Sequence, residues 1–202
     1  MILIADSGST KTDWYYSEGE NHFKRLSTGG INPFFRTTKD IYAELLKDLA
    51  PKINLNIQEI YFYGAGVIDK EKGNVIKNAL SPLFPSAKIE VESDLLAAAR
   101  ACCGNEKGIA CILGTGSNSC LFDGEKIIEH IPPLGFILGD EGSGAVLGRQ
   151  LVGDYLKGIM PKNLQQNFKK QFTFSYSELM DSVYKKEKPN KFISMFNQRT
   201  QH

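Results

Sequence analysis

The same order of elements is predicted at two places in this chain. An apolar strand at residues 2–5 precedes a loop of small and polar residues, 7–12, and two more strands follow. From residue 109 an apolar strand again precedes a small polar loop, 114–118, and two more strands again follow. Small residues let the backbone approach a ligand closely, so that its N–H groups can bind anionic oxygens. The sequence therefore predicts two units of similar topology, each with a loop that could bind phosphate or could be a plain hairpin turn.

In the first unit, helices and strands alternate after the opening strands. Helical periodicity covers residues 38–49 and 69–80, and an alanine-rich helix begins at residue 95. Apolar runs at 60–63 and 88–92 predict strands between these helices. Strands separated by a helix should run parallel through right-handed crossovers. The unit is therefore predicted as a mixed sheet in the order β-β-β-α-β-α-β-α, with helices covering it.

The second unit does not complete this order. After its third strand the pattern is helical, in segments ending near 157 and then at 163–171, 176–186 and 190–196. The sequence predicts an N-terminal domain at residues 1–107 and a partial C-terminal domain at residues 108–202. The polar residues 197–202 are expected to form a frayed end.

Composition excludes several functional classes. The chain has 202 residues, a formal net charge of +1 and 42% hydrophobic residues. Near-neutral charge gives no electrostatic case for nucleic acid or an anionic membrane as partner. No apolar run is long enough to span a bilayer, and no basic-then-apolar leader occurs, which predicts a cytoplasmic protein.

The four cysteines are predicted to be reduced and structural. Adjacent Cys102 and Cys103 fit neither a CxxC metal pair nor a disulfide framework. Cys111 and Cys120 occur in apolar runs, where a free thiol behaves as a small hydrophobic group. The pair Phe34–Phe35 is likewise predicted to lie in the core rather than to form a stacking platform.

Five short motifs, each weak alone, occur in order along the chain. They are 6–12 (Asp-Ser-Gly-Ser-Thr-Lys-Thr), 30–33 (Gly-Ile-Asn-Pro), 93–94 (Ser-Asp), 114–118 (Gly-Thr-Gly-Ser-Asn) and 139–143 (Gly-Asp-Glu-Gly-Ser). In this order and spacing they resemble the N-acetylglucosamine kinase branch, also called the BadF/BadG/BcrA/BcrD-type ATPase family, of the sugar kinase, Hsp70 and actin superfamily. The resemblance implies an α/β protein with a ribonuclease H-like (actin-like ATPase) fold, a mixed sheet with helices on both faces and an incomplete second domain. It also implies ATP-dependent phosphorylation of an amino sugar, such as N-acetylglucosamine, at its 6-hydroxyl.

The resemblance assigns a role to each motif. Asp94 would be the general base that takes the proton of the sugar hydroxyl, and Asp6 would hold Mg²⁺, through water. The residues implied to bind the phosphates of ATP are Ser7, Gly8, Ser9, Thr10, Lys11, Thr12, Gly114, Thr115, Gly116 and Ser117. Those implied to line the sugar pocket are Asn32, Asp94, Asn118, Asp140 and Glu141.

Structural explanations compete with several of these roles. Ser93 and Asp94 could simply cap the helix that follows, because both residue types are strong caps. Asp140 and Glu141 could favour the positive end of the next helix. Asn32, which precedes a proline, could be only a turn residue, and Lys11 could be solvated.

The chain departs from the family pattern after the fifth motif. Complete members continue for about another half domain, which supplies the strands and the glycine-containing loop that hold adenosine. We therefore interpret the chain as a truncated kinase, or alternatively as a non-catalytic remnant that senses a sugar or nucleotide. The resemblance is also compatible with a homodimer, since kinases of this branch are often dimers. The sequence leaves the identity of the sugar open.

Overall fold

The computed structural model describes residues 1–8, 10–17, 23–53 and 56–198. The chain divides into two compact units, Met1–Asn105 and Glu106–His202. Within the described residues, every helix is too short or too polar to cross a membrane.

The first unit contains a mixed five-stranded sheet. Its strands are β1 (Ile2–Ser7), β2 (Lys11–Ser17), β3 (Phe23–Gly29), β4 (Glu59–Gly64) and β5 (Lys88–Ser93), in the spatial order β3-β2-β1-β4-β5. The first three strands are antiparallel, whereas β4 runs parallel to both β1 and β5. The predicted mixed sheet is confirmed.

Three helices connect or follow these strands: α1 (Thr38–Asp48), α2 (Lys70–Leu80) and α3 (Asp94–Cys103). A short 3₁₀ turn, Ala50–Lys52, follows α1. The Thr37 hydroxyl caps α1 in a capping box with Asp40, which explains why the helix begins where it does. Gly104, with φ at 60°, is the C-cap of α3.

The core of the first unit lies on one face of the sheet. The register pairs Leu3 with Ile60 and Ala5 with Phe62, so that alternate residues of β1 and β4 point to the same side. There they are buried against apolar residues of α1 and α2, and Trp14 packs on Phe62 with ring centroids 5.8 Å apart. Helix α3 lies against the opposite face. Its residue Arg100 donates a hydrogen bond of 2.7 Å to the Tyr63 hydroxyl, so the predicted helices on both faces are confirmed.

The second unit begins with an antiparallel sheet and continues with helices. Its strands are β6 (Gly108–Leu113), β7 (Ser117–Phe122) and β8 (Ile127–His130), in that spatial order. Its helices are α4 (Gly135–Leu138), α5 (Gly144–Leu156), α6 (Lys162–Gln171), α7 (Tyr176–Tyr184) and α8 (Pro189–Gln198). The periodicity did not predict α4, which has only four residues. Phenylalanines of α6 and α8 form an aromatic core, with the Phe168 and Phe196 rings stacked 5.6 Å apart.

Two expectations about burial are wrong. Phe34 and Phe35 are 51% and 81% exposed, because they stand in the loop that precedes α1. Cys111 is exposed, because it belongs to the row of β6 residues that faces solvent, whereas Cys120 is buried as expected. All four cysteines are free thiols.

Candidate active site

The candidate catalytic residues of the first unit lie at the carboxyl edge of its parallel strands. The register pairs Ser7 with Gly64 and Gly64 with Ser93, so that β1, β4 and β5 end side by side. The first polar loop follows β1, and Asp94 follows β5. Ligands of doubly wound sheets bind outside this edge.

Asp94 is the first residue of α3, and it is not the cap of that helix. The Ser93 hydroxyl accepts a hydrogen bond of 3.2 Å from the Leu96 N–H and is the N-cap of α3. Burial raises the pKa of the Asp94 carboxyl, and the negative charge of Asp6 raises it further, although the neighbouring backbone N–H groups oppose both effects. A carboxylate with a raised pKa is a better proton acceptor at neutral pH.

Lys11 belongs to an ionic cluster on β2 and β3. Its ammonium lies 2.8 Å from the Asp13 carboxylate, which also accepts hydrogen bonds from Arg25 at 2.8 Å and Ser27 at 2.6 Å. The hydrogen bond from Arg25 holds the pKa of Asp13 well below its usual range, against the opposing effect of burial. Sequence reasoning missed Asp13, although the register places it directly opposite Asp6.

Ser7 and Thr12 brace the first loop from inside the protein. Both side chains are fully buried, and their hydroxyl oxygens are 2.7 Å apart. The Ser7 hydroxyl bonds both the carbonyl and the N–H of Ile31, at 3.0 and 3.1 Å, and Thr12 donates to the Gly29 carbonyl at 3.0 Å. This geometry gives no support to the prediction that these two hydroxyls contact phosphate. Gly8, Thr10 and Lys11 are exposed, whereas Ser9 lies outside the described residues.

We expect Ser7→Ala to lower the free energy of unfolding by about 1–3 kcal/mol, because it leaves the buried N–H and C=O of Ile31 without their partner. Urea denaturation of the variant would measure this loss. Ser86→Ala removes an exposed hydroxyl and provides the control, with an expected change within about 0.5 kcal/mol. Equal stability of the two variants would contradict the bracing role.

Asn32 lies at the same edge of the first unit. Its side-chain oxygen accepts a hydrogen bond of 2.9 Å from the Phe34 N–H. Asn32 is therefore a turn residue, which agrees with the structural alternative to a sugar-binding role. It also lies against Gly66, where a Cβ atom would stand 2.6 Å from that oxygen. Gly66 follows β4 and has φ at 83°, so only glycine satisfies both its conformation and this close approach.

In the second unit, the loop 114–117 connects β6 to β7 and is held by its own backbone and by residues near α5. The Gly114 N–H donates to the Gly116 carbonyl at 2.9 Å. The Ser117 N–H donates to the Asp140 carboxylate at 3.2 Å. Among the described residues, the backbone N–H groups of Thr115 and Gly116 have no protein acceptor outside the strand pairing. These two groups can therefore serve an anionic ligand.

The other predicted pocket residues of this unit have different surroundings. The Asn118 side-chain oxygen lies 2.8 Å from His130 Nε2, a histidine that sequence reasoning did not connect with the site. Glu141 is exposed. The Ser143 hydroxyl caps α5 by accepting from the Val146 N–H at 3.2 Å.

Comparison with solved structures shows the family. A candidate N-acetylglucosamine kinase from Porphyromonas gingivalis is 48% identical over 98% of this chain, with a TM-score of 0.90. This chain belongs to the N-acetylglucosamine kinase-like family of sugar kinases. It spans 71% of the length of that relative. No protein-family model matches the sequence, and the search of curated proteins found no match.

More distant structures share the fold of this kinase-family chain. A candidate N-acetylglucosamine kinase from Chromobacterium violaceum is 18% identical, with a TM-score of 0.72. The match covers 98% of this chain and 72% of that kinase. A ROK family glucokinase from Streptomyces griseus, in complex with glucose and AMPPNP, is 15% identical, with a TM-score of 0.56. The match covers 95% of this chain and 74% of the glucokinase chain. The actin-like ATPase fold predicted from the motifs is therefore confirmed.

The exposed carboxylate of Asp6 is compatible with the magnesium site, through water, that the resemblance predicts there. Asp6 is an exposed carboxylate at the carboxyl end of β1. Among the described residues, no group of three or more His, Cys, Asp or Glu side chains lies close enough to hold a metal ion. Mg²⁺ commonly keeps several waters and binds through one or two carboxylates, which a single exposed aspartate allows.

Proposed function

We propose that this protein catalyses ATP-dependent phosphorylation of an amino sugar, N-acetylglucosamine or a close relative, at its 6-hydroxyl. The observation that carries the proposal is Asp94, a carboxyl group of raised pKa at the carboxyl edge of the sheet, in a helix whose N-cap is Ser93. The sugar class is suggested by the name of the relative that is 48% identical. Family membership supports a kinase in general; the cofactor and the hydroxyl are our proposal.

In the proposed reaction, Asp94 accepts the proton of the sugar hydroxyl. As the proton moves to the carboxylate, the sugar oxygen forms a bond to the γ-phosphorus of ATP. The bond between that phosphorus and the β-phosphate oxygen breaks at the same time, and ADP leaves with that oxygen. When bound, ATP supplies the phosphoryl group and Mg²⁺ neutralises charge on it. Such a transfer needs positioning and charge stabilisation more than covalent assistance from the protein.

The geometry divides the predicted phosphate ligands into two groups. Gly8, Thr10 and Lys11 of the first loop are exposed and are proposed to contact phosphate, with the Lys11 ammonium shared with Asp13. In the second loop, the N–H groups of Thr115 and Gly116 and the Ser117 hydroxyl are the proposed donors. Ser7 and Thr12 are proposed to shape the first loop from within.

The proposed sugar ligands are Asn32, Asp94, Asn118, Asp140 and Glu141. Asn32 is half-buried beside Gly66, and Asn118 is half-buried beside His130. Amide side chains offer both donors and acceptors, which suits sugar hydroxyl and acetamido groups. A homodimer and a cytoplasmic location remain predictions.

The proposal is tested by ADP release from Mg-ATP with glucose, glucosamine, N-acetylglucosamine and N-acetylmuramic acid. We expect ADP release that depends on one amino sugar and produces an equal amount of its 6-phosphate, identified by mass spectrometry and NMR. Glucose alone as acceptor would contradict the proposed sugar class. Absence of any sugar-dependent ADP, in the presence of measurable binding of sugar or nucleotide, would favour the sensing remnant.

A further inference from the structure

Asn118 and His130 form a polar pair on two neighbouring strands of the second unit. Asn118 directly follows the loop 114–117 as the second residue of β7, and His130 is the last residue of β8. The register pairs Cys120 with His130, so Asn118 is the diagonal neighbour of His130 on the same face of the sheet. The Asn118 Oδ1 atom lies 2.8 Å from His130 Nε2. The strand pairing therefore brings an exposed imidazole to a residue that is proposed to bind the sugar.

A third group determines how the Asn118 amide is oriented. The Ser119 N–H donates to the same Oδ1 atom at 3.0 Å. A backbone N–H can only donate, so the atom that it contacts must be the oxygen of the amide and not its NH₂ group. That oxygen can accept a second hydrogen bond from His130 only if Nε2 carries a proton. His130 is therefore the donor, and both lone pairs of the oxygen are used.

The NH₂ group of Asn118 is left for a ligand. Within the part of the chain that the structure describes, the protein offers no acceptor to its two N–H groups. The side chain is half-buried, beside the loop whose N–H groups at Thr115 and Gly116 are also without a protein acceptor. An amide held in this way can donate hydrogen bonds to a ligand but cannot accept one.

We propose that His130 is a positioning residue for sugar binding, which fixes Asn118 so that its NH₂ group donates to an oxygen atom of the sugar. The inference rests on the proposed function, in which Asn118 is a sugar ligand. Without His130 the amide oxygen keeps a single partner, and the side chain is free to turn away from the ligand. A side chain that is ordered before the ligand arrives binds it more tightly, because the cost of ordering has already been met.

The dissociation constant of N-acetylglucosamine, measured by calorimetry on the full chain, tests the role of His130. We expect His130→Ala to raise this constant about threefold to tenfold, the factor that corresponds to the net contribution of one hydrogen bond. His130→Gln keeps a side-chain N–H donor and should recover most of the affinity. Glu129→Ala removes an exposed neighbour on the same strand and is the control, with wild-type affinity expected. Unchanged affinity in His130→Ala would overturn the positioning role.

Variants of Asn118 test which of its atoms faces the sugar. Asn118→Asp keeps an oxygen for Ser119 and His130 but replaces the NH₂ group with a second oxygen, so the donors are lost. It should therefore weaken binding at least as much as Asn118→Ala, and retained affinity would overturn the donor role. Since His130 acts through Asn118, adding His130→Ala to Asn118→Ala should change the dissociation constant by less than about twofold. Independent, multiplying effects of the two substitutions would overturn that route.

Amide hydrogen exchange of the sugar-free protein gives a readout that does not depend on function. The Asn118 oxygen holds the Ser119 N–H, so exchange at Ser119 should accelerate in His130→Ala and remain near wild type in His130→Gln and Glu129→Ala. Unchanged exchange in His130→Ala would overturn the fixing of Asn118, whatever the activity of the chain. If N-acetylglucosamine and the three other sugars of the panel all failed to bind, the proposed function and the donor role would both be contradicted. The exchange result would still decide whether His130 holds Asn118.

Discussion

Asp94→Asn should remove nearly all sugar-dependent turnover while leaving the fold at least as stable as the wild type. Positioned general bases contribute about 10²–10⁴-fold to a rate, so kcat should fall by that factor. KM values should change much less, because asparagine retains the size and the hydrogen-bonding oxygen of the side chain. ADP release with Mg-ATP and the accepted sugar would measure both parameters. Turnover that survives in this variant would contradict the assignment of the base.

The expected gain in stability follows from the direction of the pKa shift. Because burial raises the pKa of Asp94 above its unfolded value, the folded state favours the protonated, neutral form. The stabilisation from proton binding is therefore complete below the unfolded pKa and is lost as the pH rises through the folded pKa. Asparagine is neutral at every pH, so Asp94→Asn should unfold at a higher temperature than the wild type at neutral pH.

Glu71→Gln offers a matched control for this gain. Glu71 is also an acid in the first turn of a helix, α2, but it is exposed. Its charge favours the positive helix end, so neutralising it should lower the free energy of unfolding by about 0.3–1 kcal/mol. Opposite signs for the two variants would show that burial, and not helix position, governs Asp94. A loss of stability in both would contradict the raised pKa.

The same shift determines the pH dependence of the reaction. Asp94 accepts a proton only when it is ionised, so activity should be lost as the pH falls through its pKa. Because that pKa is raised, the acidic limb of kcat/KM should lie above the ordinary range of aspartate. A limb at the ordinary value would indicate that the charge of Asp6 and the burial of the site do not act on the base.

Much of the fold could be predicted because local signals agree with it. The two strand–loop–strand patterns, the alternating helices and strands of the first unit and the position of Asp94 after β5 all appear in the structure. These features depend on periodicity and on short motifs, which a single sequence contains. The long connections of the second unit carried weaker signals, and there α4 was missed.

The burial of the Ser7 hydroxyl could also have been predicted from the sequence, although the residue was instead assigned to phosphate binding. In β1 the side chains of Leu3, Ala5 and Ser7 alternate with exposed ones and share the buried face. In β2, Thr12 and Trp14 share the buried face, although Asp13 between them is also largely buried. Alternation therefore places both hydroxyls inside, whereas their chemistry suggested phosphate ligands. Strand parity indicates where a side chain points, because its direction is set by the backbone.

The contact between Asp140 and the second loop had no such local signal. Twenty-three residues separate Asp140 from Ser117, and the left-handed backbone at Asp140 depends on the turn before α5. Pairing of a carboxylate with one particular N–H requires the tertiary positions of both segments. Sequence reasoning could identify the residue but not its partner.

Substitution of Gly148 by alanine should strongly destabilise the protein, because the packing of α5 against α8 leaves no room for a side chain at this position. A Cβ atom there would stand 2.1 Å from the carbonyl oxygen of Ile193 and 3.0 Å from its carbonyl carbon. Both atoms belong to the backbone of α8, so the clash can be relieved only by separating the helices. Gly148→Ala should therefore lower the free energy of unfolding by about 3 kcal/mol, the upper end of typical overpacking costs.

Gly153→Ala makes the same chemical change in the same helix with the opposite expected sign. A Cβ atom at position 153 would meet no heavy atom within 4 Å, so only the helix preference of alanine acts. That preference stabilises a helix interior by about 0.5–1 kcal/mol relative to glycine. Urea denaturation followed by far-ultraviolet circular dichroism would measure both variants. If Gly148→Ala proved as stable as Gly153→Ala, the close approach of α5 and α8 would be contradicted, since any helix-propensity effect is common to both.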